Sequence, residues 1–107
     1  MIGKFVEVII DRPLGSVHPN HKDIVYGVNY GFVPNILGGD GEEQDAYVLG
    51  VDKPIKRFKG KIIAIIHRKE DCETKWVVAP AGMTFSAKEI LEKVHFQERY
   101  FTVSIEI

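Results

Sequence analysis

Residues 40–45, Asp-Gly-Glu-Glu-Gln-Asp, place four carboxylates in six positions, between Pro34-Asn35-Ile36-Leu37-Gly38-Gly39 and the apolar run Ala46-Tyr47-Val48-Leu49-Gly50-Val51. Charge that dense repels itself and costs folding free energy unless cations or a binding task offset it. Oxygen-only donors suit hard cations such as Mg2+, Mn2+ and Ca2+, whereas Zn2+ prefers imidazole and thiolate. A calcium loop of EF-hand type requires Gly at its sixth position and Glu at its twelfth. Counted from Asp40 these are Asp45 and Val51, so that loop is excluded. Two readings stand. The stretch is a solvated acidic turn, or Asp40 in the turn and Asp45 at a strand start converge on Mg2+ and leave water positions open, as metal-assisted phosphoryl hydrolysis requires.

Few other residues offer chemistry by spacing alone. His18 and His21 could ligate a metal, but no other His or Cys lies near them in sequence, and loop histidines are the plainer reading. His67 and His95 belong to no pattern, and Cys72 has no partner close in sequence. No nucleophile elbow, Walker A loop or dinucleotide fingerprint occurs. Tyr26 and Tyr30 share one strand face by the period of two. With Lys75 they are ordinary barrel residues unless they line the same cavity as the carboxylates. In that case lysine supplies a point charge and tyrosine a neutral donor to phosphate oxygens.

The elements that must position these groups are mostly strands. Lys4 to Ile10 is rich in β-branched residues and ends where Pro13 opens a long polar loop through residue 23. Such an insertion in a short chain is a functional signal. Ile24 to Val33 reads as a second strand, with Gly27 and Gly31 marking bends or close backbone approach. Strands are also predicted over 46–51, 62–66 and 75–79. Between the last two, Arg68-Lys69-Glu70-Asp71 reads for the most part as a solvated hairpin tip. Ser86 and Glu89 form a capping box, and Ala87, Ile90, Leu91 and Val94 make a helical stripe, which predicts a helix extending to Arg99 or Tyr100. Thr102 to Ile107 alternates and closes the set. The result is a mainly β, α+β fold: a small antiparallel β-barrel with one C-terminal helix packed on it.

Composition sets the frame. A chain of 107 residues with 45% hydrophobic and 10% aromatic content predicts one globular domain, residues 1–107, without repeats or linkers. The longest apolar run, Ile62 to Ile66, is too short to span a bilayer. Met1-Ile2-Gly3-Lys4-Phe5 leads straight into β-type sequence, and with the single Cys72 this predicts a reducing, cytoplasmic setting. A net charge of −1 gives no global attraction to nucleic acid or to anionic membrane, so neither is an expected partner. A domain this small gains stability by association, which makes a homo-oligomer an expectation.

Three blocks, taken in order, resemble the core of soluble family I inorganic pyrophosphatases. They are Tyr26-Gly27-Val28-Asn29-Tyr30-Gly31-Phe32-Val33, the acidic stretch Asp40 to Asp45, and Glu73-Thr74-Lys75-Trp76-Val77-Val78-Ala79-Pro80. The resemblance covers roughly residues 5 to 101 and implies a five-stranded OB-like barrel with flanking helices. It implies Mg2+, with Mn2+ as a substitute, and hydrolysis of pyrophosphate by a metal-activated water. By this similarity Asp40, Asp45, Glu73 and Asp71 are metal ligands and Glu42 is the base. Tyr26, Tyr30, Lys75 and Tyr100 meet the substrate. The chain departs from the family pattern where Phe101 replaces a lysine and where Glu7 and Ile9 stand at basic and acidic positions. Arg12, His18 and His21 are loose counterparts of a family arginine. Such thinning of the site makes a phosphate- or diphosphate-binding protein without turnover the alternative.

Overall fold

The computed structural model describes residues 1–107, which form β1 (Phe5–Arg12), β2 (Val17–His18), β3 (His21–Val25), β4 (Asn29–Leu37), β5 (Glu43–Val48), β6 (Arg57–Arg68), β7 (Thr74–Ala79), α1 (Ala87–Glu98) and β8 (Val103–Glu106). The sheet order β1-β4-β5-β7-β6 closes through pairing of β6 back onto β1, giving a five-stranded OB-like barrel. Closure leaves those five strands without a free edge. β8 adds to β6 outside the barrel, while β2 and β3 make a separate two-stranded ribbon. All pairings are antiparallel except β5 with β7. No helix is long and apolar enough to cross a membrane.

Alternation along each strand divides the apolar residues into two cores. Val8, Ile10, Val33, Ala46, Val48, Ile62, Trp76 and Val78 fill the barrel. Tyr47, Leu49 and Val77 point the other way and pack with Tyr26, Tyr30, Ile90 and Val94 under α1. β6 serves both cores because its register slips between Ile62 and Ala64. Ile62 faces the barrel interior, and beyond the slip Ala64 and Ile66 face the helix. The bulge thereby reassigns every later even-numbered residue of β6 to the helix side. Burying Ile90 and Val94 on that side contributes about 1.5–3 kcal/mol each.

The capping box forms as predicted. Ser86 Oγ accepts from the Glu89 N–H at 3.1 Å, and Glu89 Oε1 accepts from the Ser86 N–H at 2.8 Å. The helix ends at Glu98 with Arg99 as its cap, short of Tyr100. Its inward face is Ile90, Val94, Gln97 and Glu98, whereas Leu91 of the predicted stripe is 41% exposed. The predicted strand from Ile24 to Val33 is broken at residues 26–28, so it supplies only the end of β3, Ile24 and Val25, and most of β4; the start of β3 lies in the predicted polar loop. β4 also runs on to Leu37, through part of the expected loop, and β6 exceeds the predicted 62–66 at both ends. Lys59 and Lys61 concealed the first extension: they pair with Glu7 and Phe5 of β1 in the register that closes the barrel. At Gly31 a Cβ would sit 1.8 Å from the Ile9 carbonyl oxygen, so this crossing of β1 and β4 demands glycine.

Candidate functional site

One open cleft of about 520 Å³ lies where the barrel, the ribbon and the end of α1 meet. The barrel supplies Arg12, Tyr30, Asp45, Arg68 and Lys75 to its wall, and the ribbon supplies His18, His21 and Asp23. Gln97, Tyr100 and Phe101 close it from the helix end. Tyr100 donates to Asp23 Oδ2 at 3.2 Å and so ties the ribbon to the segment after α1.

One part of the site is acidic. Lys75 Nζ donates to Asp45 Oδ2 at 2.6 Å and lies 3.4 Å from Glu73 Oε1. Arg68 donates through Nε and Nη2 to both oxygens of Glu98, at 2.8 and 2.7 Å, and Nη1 lies 3.3 Å from Asp71 and 3.4 Å from Glu73. The Phe101 ring stacks 3.8 Å from the Arg68 guanidinium carbon. Burial opposes the charge on Arg68, but the Glu98 bonds outweigh it and raise its pKa. Asp40 accepts the Glu42 N–H at 3.0 Å, and that bond, with the neighbouring Glu73 carboxyl, holds Asp40 below the usual carboxylate range. Glu73 moves the opposite way. Burial raises it first, and the Asp71 and Asp40 carboxyls raise it further against the opposing pull of Lys75. Asp40, Asp45, Asp71, Glu73 and Glu98 face only Arg68 and Lys75, which leaves three negative charges in excess.

The other part is rich in donors. Arg12, the last residue of β1, donates through Nη1 to the Tyr26 phenol at 2.6 Å and lies over the Tyr26 and Tyr30 rings at 5.7 and 5.8 Å. The Tyr30 phenol makes no protein hydrogen bond and opens into the cleft. His18 and His21 sit side by side, with ring centroids 4.9 Å apart. Burial, followed by the charge of Arg12, lowers the His18 pKa and favours a neutral ring at pH 7.

Of the residues singled out from the sequence, Asp45, Lys75, Tyr30 and Tyr100 line this one cleft, and Asp40, Asp71 and Glu73 lie beside Asp45 and its cations. Tyr26 stands behind the cleft wall, with its phenol engaged by Arg12 and Gln97. The Glu42 carboxylate projects from the turn without a partner. Arg68 is not a solvated tip residue: its side chain is 6% exposed. The signal for it was the parity of Ala64, Ile66 and Arg68, hidden by the bulge. Gln97 and Glu98 were also missed, although they continue the spacing of Ile90 and Val94 and so place polar groups on the buried face of α1.

Burial raises all three inner tyrosines. The Asp45 charge adds to the effect at Tyr30 and Glu98 adds to it at Tyr47, while the Arg12 hydrogen bond opposes it at Tyr26. In an absorbance titration, Tyr26, Tyr30 and Tyr47 are expected to remain protonated as pH rises through about 10, where free phenols ionise. Phenols raised in the folded state contribute stability that is whole below that pH and is lost as pH climbs toward their folded values. Ionisation of all four tyrosines near pH 10 in the folded protein would contradict their burial.

The closed barrel with its appended helix is the fold of the inorganic pyrophosphatases. Among solved structures, the inorganic pyrophosphatase of Ehrlichia chaffeensis is 18% identical, with a TM-score of 0.77 over 99% of this chain and 87% of that one. The Coxiella burnetii enzyme is 21% identical, with a TM-score of 0.71 over 99% and 86%, and the Neisseria gonorrhoeae enzyme is 20% identical, with 0.71 over 92% and 74%. No protein-family model matches the sequence, and no curated protein matches it. The donor set fits a hard cation by charge and by type, being all oxygen with an anionic excess that adds to burial in raising Glu73. No three of these groups converge on a single point, because each carboxylate is turned toward Lys75, Arg68 or a backbone N–H.

Proposed function

We propose that this chain hydrolyses inorganic pyrophosphate, with Mg2+ as cofactor and Mn2+ as its substitute. The observation that supports this best is the bipolar cleft: an anionic excess around Glu73 adjoins a wall that offers the Arg12 guanidinium and the free Tyr30 phenol. A magnesium diphosphate carries the matching pair of charges. Asp40, Asp45, Asp71 and Glu73 are the residues to hold the metal, which when bound acidifies water and neutralises phosphate charge.

The protein's own groups do the rest. Arg12 and Tyr30 donate to phosphate oxygens, with Tyr100 at the rim. Lys75 supplies a point charge that stabilises the leaving phosphate. Glu42, with no cation to hold its carboxylate, accepts the proton of the attacking water. Asp45→Asn is expected to lower phosphate release from pyrophosphate by about 100-fold at fixed Mg2+. Equal release by parent and variant, or none by the parent, rejects the enzyme. The second reading is capture of a phosphate or diphosphate without turnover, and it is favoured by the existing pairing of Asp45, Asp71 and Glu73 with Lys75 and Arg68. Calorimetric binding of pyrophosphate with no phosphate released selects it.

A further inference from the structure

Arg12 and Arg68 come from different strands, β1 and β6, yet one unbroken chain of hydrogen bonds joins them through the protein interior. Arg12 Nη1 donates to Tyr26 Oη at 2.6 Å, and Tyr26 Oη donates to Gln97 Oε1 at 2.5 Å. Gln97 Nε2 donates to Tyr47 Oη at 2.7 Å, and Tyr47 Oη donates to Glu98 Oε2 at 2.5 Å. Arg68 then holds both Glu98 oxygens. Tyr26, Tyr47 and Glu98 are each at most 1% exposed, so water does not substitute for a missing member.

Every donor in this chain points toward Glu98, and the carboxylate dictates that direction. An ionised carboxylate only accepts, so Tyr47 must spend its single proton on it. Tyr47 Oη is then left as an acceptor, which turns the Gln97 amide nitrogen toward it and the amide oxygen toward Tyr26. The Tyr26 proton follows inward, leaving its lone pairs for Arg12. With the amide reversed, Tyr47 and Glu98 would face each other without a proton between them. Of the five N–H groups of a guanidinium, Arg12 spends one here and keeps the others for an anion in the cleft.

We propose that Gln97 and Glu98 are positioning residues of the cleft: Glu98 orients Arg68 directly and Arg12 through Tyr47, Gln97 and Tyr26. The end of α1 thus fixes the orientation of two arginines that line the same cleft. The binding part of this proposal rests on the diphosphate reading above, whereas the orientation of Arg12 does not.

Tyr47→Phe cuts the chain at a buried residue that lies outside the cleft lining and makes no hydrogen bond to Arg12. In calorimetry with pyrophosphate and Mg2+ its affinity is expected to fall about ten-fold. In the ligand-free protein the Arg12 Nε–H resonance is expected to shift, read by 15N NMR against an Arg12→Lys assignment control. A lowered melting temperature with affinity within about two-fold and an unmoved Arg12 resonance overturns the proposal, leaving Tyr47 a purely structural hydrogen bond. Should Tyr47→Phe fail to fold, Gln97→Met breaks the same chain one member nearer Arg12; because Gln97 itself lines the cleft, the Arg12 resonance alone is read there, and an unmoved resonance overturns the proposal. A parent that binds no pyrophosphate rejects the functional reading, and the Arg12 resonance then decides the proposal alone.

Discussion

Arg68→Ala is expected to destabilise the protein by about 3–5 kcal/mol, read as a lowered denaturant midpoint at unchanged slope. The size follows from what the guanidinium leaves behind. The Glu98 side chain is 0% exposed and that of Arg68 is 6% exposed, so the carboxylate has neither water nor a second cation to turn to. Two charge-assisted bonds are lost together, and the remaining Tyr47 donor cannot balance a full charge. The companion variant Arg68→Met with Glu98→Gln separates a missing partner from a missing shape. The amide still accepts from Tyr47 and carries no charge, so the pair is expected to recover more than half of the loss. A single-variant cost below about 1 kcal/mol, the range of exposed pairs, would falsify the buried pairing of Arg68 with Glu98.

This pair also marks the boundary of what the residues disclose in advance. The barrel and its helix were legible because their signals are local: period-two runs for the strands, and Ser86 with Glu89 at the start of α1. The acidic stretch was legible because four carboxylates in six residues have few uses. What stayed hidden depends on register. A bulge of one residue near Ile63 turns Arg68 from a hairpin tip into a member of the helix-side row begun by Ala64 and Ile66, and no residue type announces that bulge. The same row meets Gln97 and Glu98 only because α1 crosses over it, a contact between residues 30 positions apart in the case of Arg68 and Glu98. Tyr26 and Tyr30 share a face as their spacing requires, yet only Tyr30 opens to the cleft. Gln97 approaches Tyr26 from a distant element and takes its phenol.

Lys75→Met is expected to lower phosphate release from pyrophosphate with Mg2+ by 100-fold or more, about the loss seen on removing a charge-stabilising donor, while costing only about 1–2 kcal/mol of stability. The contrast with Arg68 comes from the environment of the partners. Asp45 and Glu73 side chains are 32% and 24% exposed, so water can solvate them once the ammonium is gone, which it cannot do for Glu98. The folded state therefore tolerates the change. The site does not, because Lys75 is the one cation shared by Asp45 and Glu73, and its removal adds a further unit to an anionic excess that a diphosphate must approach. The prediction is read as the split between two measurements on one variant: a denaturation midpoint close to the parent's and a phosphate-release rate far below it. Near-parental release would place Lys75 in the structure alone and leave Arg12 and Tyr30 to hold the phosphates. Loss of release together with a collapse in stability would mean that Asp45 and Glu73 are less accessible to water than their exposure indicates, and that Lys75 belongs with Arg68 among the buried ion pairs of the fold.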